Sequence, residues 1–374
     1  MINILYLKNW LHPLVGLLLT VFSSGGEAEG VKLKVVIAEG APKVVVSGEG
    51  LGVKVAGRKW HPGNRIKIKT RGKALDIGGR TFRKPVRVTT DADFLYVDGR
   101  QYRGDIIVHG GKGGLLVVDE LPLETYLVGL INAEAHSSWP REAIRAQAVA
   151  ARSYAMLRID RSGSRSFDLR ATVADQVYLG SALEDPAAAD AVRSTRGEVL
   201  SFGGRVAKAF YHSTCGGRTA GVKEVWGGDF PYLRSVECDW CQESPRYFWR
   251  YQIDGMKISA ALARSGIKVG SVKEIKIVGK TPSGRNDKVK IVGGGRNKII
   301  KASTLRKTLG YTNIFSTRFE VFEPDAGKFL FMGRGSGHGV GMCQWGARGM
   351  AALGKKYREV LLYYYPGCSI MKAY

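Results

Sequence analysis

The stretch 121–157, LPLETYLVGLINAEAHSSWPREAIRAQAVAARSYAML, limits the possible folds more than any other part of the chain. Tyr126, Leu127, Leu130 and Ile131 recur at helical spacing after Pro122, which predicts a first helix. A second helix is expected to start around Ser138, Trp139 and Pro140, with Ser138 as cap and Pro140 in the first turn, where its missing N–H costs nothing. The alanine-rich run from Ala143 to Ala155 combines high helix propensity with small side chains, so it suits a helix packed closely inside a domain. Glu134 is stranded at the break between the two helices. The negative end of a helix dipole and burial both raise a carboxyl pKa, which keeps a general acid protonated near neutrality. The plainer reading of the same spacing pairs Glu134 with Arg152 as a buried tie. Gln147 and Tyr154 lie on the same predicted helix.

Residues 30–102 alternate apolar and basic positions in short runs, as in Arg65-Ile66-Lys67-Ile68-Lys69, separated by Gly-Glu-Gly, Gly-Asn and Asp-Gly turns. That pattern predicts a β-rich lobe, a small sandwich or barrel with its lysines and arginines outward. Residues 103–374 read as a mixed α/β domain holding the helix pair, with a basic β-rich insertion at about 257–322. The fold class is therefore α+β. Asp175 and Gln176 sit in an irregular segment after the helix pair. Asp185 before Pro186 caps a further helix, and Gly203-Gly204 marks a hairpin.

Lys and Arg number 57 against 33 Asp and Glu, a net charge of +24. Such a chain favours polyanionic surroundings, or simply carries a basic solvated surface. Residues 1–29 have the layout of a secretory signal peptide, Lys8 before an apolar run from Trp10 to Phe22 and then small residues, with an uncleaved N-terminal anchor as the alternative. Export to the periplasm or cell wall follows from either, and argues against nucleic acid as a partner. The basic strands also lack interleaved aromatic platforms for bases.

Two further constellations carry chemistry. Residues 335–347 place His338 among alternating glycines, which let backbone approach a neighbour closely; Gln344 follows in the same segment. No phosphate-loop or dinucleotide spacing accompanies them. His212-x-x-Cys215 with Cys238-x-x-Cys241 fits a tetrahedral structural zinc. The rival in an oxidising compartment is a disulfide from Cys215 to Cys238 or Cys241, with Cys343 and Cys368 forming another.

The segments LPLETYLVGLINAEAHSSWPREAIRAQAVAARSYA, AFYHSTCGGRT, EVWGGDFPYLRSVECDWC and GSGHGVGMCQWGARGMA together resemble the stage II sporulation protein D / amidase-enhancer (SpoIID/LytB) family, over roughly residues 103–370. The resemblance implies an extracytoplasmic protein acting on peptidoglycan. Some members are lytic transglycosylases that prefer glycan strands stripped of stem peptides; others enhance N-acetylmuramoyl-L-alanine amidases. It also implies that Glu134, in the Ala-Glu-x motif before Ser-Trp-Pro, is the catalytic acid, with no cofactor needed for catalysis. Gln147, Arg152, Tyr154, Asp175, Gln176, His338 and Gln344 are the expected supporting residues. This chain departs from the family where Cys343 replaces an expected Ser and Trp345 an expected Tyr, changes that a Cys343–Cys368 disulfide would link.

Overall fold

The computed structural model describes residues 30–163 and 165–374; the signal segment expected at 1–29 lies outside the described residues. Strand Arg65–Arg71 shows how the β-rich part forms: Ile66 and Ile68 are buried while Arg65, Lys67 and Lys69 are exposed, the period-2 alternation of a half-buried strand. Two antiparallel-rich sheets result. One has six strands, in the spatial order Arg100–Tyr102, Leu95–Val97, Lys43–Ser47, Arg65–Arg71, Ala74–Ile77, Arg80–Phe82. The other has seven, running from Leu169–Arg170 through Lys32–Ala41, Gly114–Pro122, Asp105–Gly111, Val86–Thr89 and Gly52–Val55 to Arg58–Trp60. Their inward side chains, such as Val44 and Ile68 from one and Val35 and Val108 from the other, belong to one buried cluster, as in a sandwich.

The seven-stranded sheet corrects the boundary expected at 102/103. Lys32–Ala41 pairs along its length with Gly114–Pro122, so strands from both sides of that boundary share one sheet and one core. The first strand bonds to a partner far along the chain, and local patterning carries no trace of such a pairing.

Helix α1 (Leu123–Glu134) leaves directly from strand Gly114–Pro122 and buries Tyr126, Leu127, Leu130 and Ile131, as the spacing predicts. Helix α2 (Arg141–Ser162) starts later than expected. Pro140 is its cap residue, and the Ser138 hydroxyl instead meets the His136 ring at 3.3 Å. The alanine run explains where α2 sits. Ile144, Ala148, Ala151 and Ala155 join the sandwich core, while Ala146, Val149 and Ala150 join a second core built from residues 200–241 and 340–365. Small side chains let one helix pack on both sides. Around it stand α1, helix α3 (Pro186–Ser194), strand Glu198–Phe202, and, from the C-terminal part, the helices Gln344–Ala352 and Tyr357–Tyr364.

The segment expected at 257–322 lies within a group of elements that begins and ends further out. Strands Phe248–Asp254, Lys328–Arg334 and Phe319–Asp325 form one small sheet, and Val272–Lys280, Asn286–Gly293 and Lys298–Lys301 another. With the helices Gly255–Arg264 and Ala302–Leu309 they enclose their own core around Ile258, Leu262, Ile291, Leu305 and Phe331. The module therefore spans about 248–334. Among the described residues no helix is long and apolar enough to cross a membrane.

Candidate active site

Glu134 is the last residue of α1, and Ala135 beyond it turns extended at φ −136°, ψ −178°. The turn into α2 is held from outside. The Asn132 side-chain amide donates to the Leu183 carbonyl and to Asp185 Oδ2, both at 2.8 Å, and its oxygen accepts the Ser137 N–H at 2.7 Å. The Ser137 hydroxyl also donates to Asp185, which caps α3 through the Ala188 N–H. This small network fixes where the Glu134 side chain can go. Its Oε1 accepts the backbone N–H of Val177 at 2.5 Å.

Burial raises the Glu134 pKa from its ordinary 4.5 to about 7; the Val177 N–H and the Gln344 side chain pull the other way without winning. Among the described residues no cation forms an ion pair with it. The surroundings are neutral hydrogen-bonding groups. Gln176 is fully buried, accepting from the Tyr126 hydroxyl at 3.1 Å and donating to the Tyr211 hydroxyl at 2.9 Å and the Ala151 carbonyl at 3.3 Å. Asp175 sits between the Tyr154 hydroxyl at 2.7 Å and Arg158 at 3.2 Å, and its second oxygen accepts the Arg170 N–H. That brace fixes the 175–177 segment and so presents the Val177 N–H to Glu134.

The facing wall comes from the glycine-rich segment. Gly335, Gly337, Gly339 and Gly341 all have positive φ, and at Gly341 a Cβ would lie 2.0 Å from the Phe210 carbonyl oxygen. The segment can therefore lie directly along residues 210–220, where Met342–Cys343 pairs in parallel with Tyr211–His212. Gln344 then reaches across the cleft. Its Nε2 donates to the Glu134 backbone carbonyl at 2.9 Å and faces Gln147 Oε1 at 3.4 Å. Between the walls lies an open cavity of about 580 Å³, lined among others by Glu134, His136, Trp139, His212, Ser213 and Gln344. Trp139 meets Trp345 edge to face at 5.1 Å on its rim.

Two expected roles change. Arg152 does not touch Glu134: its Nε and Nη2 each donate at 2.8 Å to Glu124, and further bonds go to backbone carbonyls of Val192 and Glu198. Its Nη1 also donates to the Thr195 hydroxyl at 3.5 Å, and the residue braces α1 against α2. His338 sits one layer back from the cavity, its ring 5.6 Å from that of His212 and 4.9 Å from Trp226. Burial, with Arg285 nearby, pushes its pKa down to about 3, so it is neutral.

The residue that sequence reasoning misplaced is His212. Its Nδ1 lies 3.2 Å from the Val340 carbonyl, which only accepts, so Nδ1 carries the proton and Nε2 a lone pair. Nε2 has no protein partner, and the residue lines the cavity. The group of mutually close ligand atoms does not include His212. Its fourth member is Cys343: the sulfurs of Cys215, Cys238, Cys241 and Cys343 all lie within 4.8 Å of one another. The Cys343–Cys368 bridge does not form either, because Cys343 opens the helix Gln344–Ala352 with its sulfur turned into this cluster, and all five cysteines are free. Asn132, Ser213 and the Val177 N–H were also missed. They act through backbone position or cavity lining, and no spacing rule picks them out.

Residues 111–202, which contain Glu134, match the family described as Stage II sporulation protein, and residues 230–341 match a domain of unknown function, DUF8618. An uncharacterized protein of Brachyspira hyodysenteriae is 34% identical over 75% of this chain and 74% of its own length. The stage II sporulation protein D of Bacillus subtilis is 32% identical over 68% of this chain and 76% of its own. The amidase enhancer of Bacillus subtilis is 30% identical over 82% of this chain, which spans only 48% of that longer protein. Glu134, the acid at the helix break, lies within the residues that the family model matches. The chain belongs to the stage II sporulation protein D family.

Proposed function

We propose that the protein is an exported lytic transglycosylase acting on peptidoglycan glycan strands, with strands stripped of stem peptides as the preferred substrate. One observation carries the reading: among the described residues lining the cavity Glu134 is the only acid, and its raised pKa leaves much of it protonated near neutrality. Glycosidases that use water need two carboxyl groups flanking the bond. A lytic transglycosylase needs one. Glu134 protonates the leaving glycosidic oxygen as the bond to the muramic acid anomeric carbon breaks. The same carboxylate then takes the proton from that sugar's 6-hydroxyl as it attacks the anomeric carbon, giving a 1,6-anhydromuramyl end. His212 contributes to the cavity wall, Gln344 holds the helix end that carries the acid, and the Trp139–Trp345 pair offers an apolar rim for a sugar face. The net charge of +24 suits a wall rich in anionic groups.

The second reading is a non-catalytic wall-binding protein that enhances an N-acetylmuramoyl-L-alanine amidase, as the relative of that name suggests. Mass spectrometry of denuded glycan strands after incubation separates the two. The enzymatic reading expects anhydromuramyl ends from the wild type and at least about 100-fold fewer from Glu134→Gln. It fails if the wild type makes none and instead raises the turnover of an added amidase.

A further inference from the structure

Cys215, Cys238, Cys241 and Cys343 are fully buried, and they come from three separate segments of the chain. Their sulfurs lie within 4.8 Å of one another, with Cys215 and Cys241 at 3.5 Å. Four thiolates around a tetrahedral cation at the zinc–sulfur distance stand about 3.8 Å apart, so the cluster has the size of such a site. Donors also point at the sulfurs. The N–H groups of Cys215 and Gly346 lie 3.2 and 3.3 Å from Cys343 Sγ, and the Tyr364 hydroxyl lies 3.1 Å from Cys238 Sγ. Thiolates accept such bonds far better than thiols do.

A second, independent observation concerns charge. Arg285 reaches in from the inserted module and is 2% exposed; its Nη2 donates to the Cys215 carbonyl at 3.0 Å, while Nε and Nη1 have no partner. No ion pair to a carboxylate is made by Arg285 among the described residues. A buried guanidinium without an anion is costly. Four thiolates on one divalent cation carry a net charge of −2, which supplies the missing anion beside it.

We propose that Cys215, Cys238, Cys241 and Cys343 hold one structural zinc ion. Binding converts four thiols to thiolates and releases four protons to solvent, with no change of oxidation state. Zinc suits this donor set because it is thiophilic, tetrahedral and redox-inert. The ion ties the start of the helix Gln344–Ala352 to the 215 and 238–241 segments. Gln344 follows the ligand Cys343 directly, so the metal fixes the wall opposite Glu134 without touching substrate.

The test uses the full chain purified without added metal or reductant. Elemental analysis is expected to find one zinc per chain, released by a mercurial in step with four thiols, and the denatured mass is expected to be that of the fully reduced chain. Cobalt exchanged into the site should give the visible spectrum of a tetrahedral tetrathiolate. Cys343→Ser should lose the metal, and His212→Ala should keep it. Because Cys343→Ser can fail to fold, the cobalt spectrum and the His212→Ala metal content decide the ligand set without it. A mass four hydrogens lower with no zinc, a metal-free reduced chain, stoichiometric iron, or zinc lost on His212→Ala would each overturn the proposal.

Discussion

The Arg152 guanidinium closes a two-pronged ion pair on Glu124, with both contacts at 2.8 Å, and its side chain is fully buried. Glu124 also accepts from the Tyr374 hydroxyl, so the end of the chain is gathered onto the same carboxylate. Removing one partner of a buried pair leaves the other charge uncompensated. Arg152→Met is therefore expected to cost about 3–5 kcal/mol in urea unfolding, most of it recovered in the Arg152→Met/Glu124→Gln double variant. At temperatures where the variant stays folded, the pH profile of glycan cleavage should keep its alkaline limb, because Arg152 does not pair with Glu134. A shifted limb would return Arg152 to the acid's side.

Glu134 links catalysis and stability with opposite signs. As general acid it works while protonated, so kcat/KM should fall as pH rises through about 7. Its folded-state pKa is raised, so between the ordinary value of 4.5 and about 7 the unfolded chain has released a proton that the native state still holds. Native stability therefore declines across that window, and above it the buried charge costs on the order of 3 kcal/mol. Glu134→Gln keeps an acceptor for the Val177 N–H and removes the charge. It should match the wild type near pH 4 and be the more stable protein at pH 8 in paired thermal melts, while cleavage drops about 100-fold or more.

Gln344 spans the cleft to the Glu134 carbonyl at 2.9 Å. Gln344→Ala leaves that carbonyl and the Gln147 amide group short of a partner, a loss of about 1–3 kcal/mol in stability. Because the Gln344 side chain also favours ionisation of Glu134, its removal should move the alkaline limb of cleavage to higher pH. A variant that loses activity with the limb unmoved would reduce Gln344 to packing.

Legibility differs from residue to residue for physical reasons. The alternation at Arg65–Arg71, the apolar stripe of α1 and the acid at the helix break were readable because each is a local property of a few residues. The choice of Arg152 between Glu124 and Glu134 was not, since both acids lie on α1 and only the packing of α2 decides which one the guanidinium meets. The cysteine set failed in the same way. His212 sits at a ligand spacing from Cys215, but its Nδ1 goes to the Val340 carbonyl, and the parallel pairing of Tyr211–His212 with Met342–Cys343 brings in a sulfur from a distant segment. The boundary at 102/103 was lost to the same kind of cause, a strand pairing that closes a long loop.

His212 gives the sharpest remaining test of the cleft. Its Nδ1 is committed to the Val340 carbonyl, so Nε2 can only accept; that atom is buried without a protein partner, in a residue that lines the cavity. If it receives a substrate hydroxyl, His212→Phe keeps a ring of similar shape and loses the acceptor. A lost hydrogen bond to substrate at a buried site is worth roughly 1–3 kcal/mol, so cleavage of denuded strands should fall about 10- to 100-fold. Glu134 keeps its surroundings in that variant, and the alkaline limb near pH 7 should stay in place. Full activity in His212→Phe would remove the imidazole from substrate binding and leave Gln344 and the tryptophan pair to position the sugar.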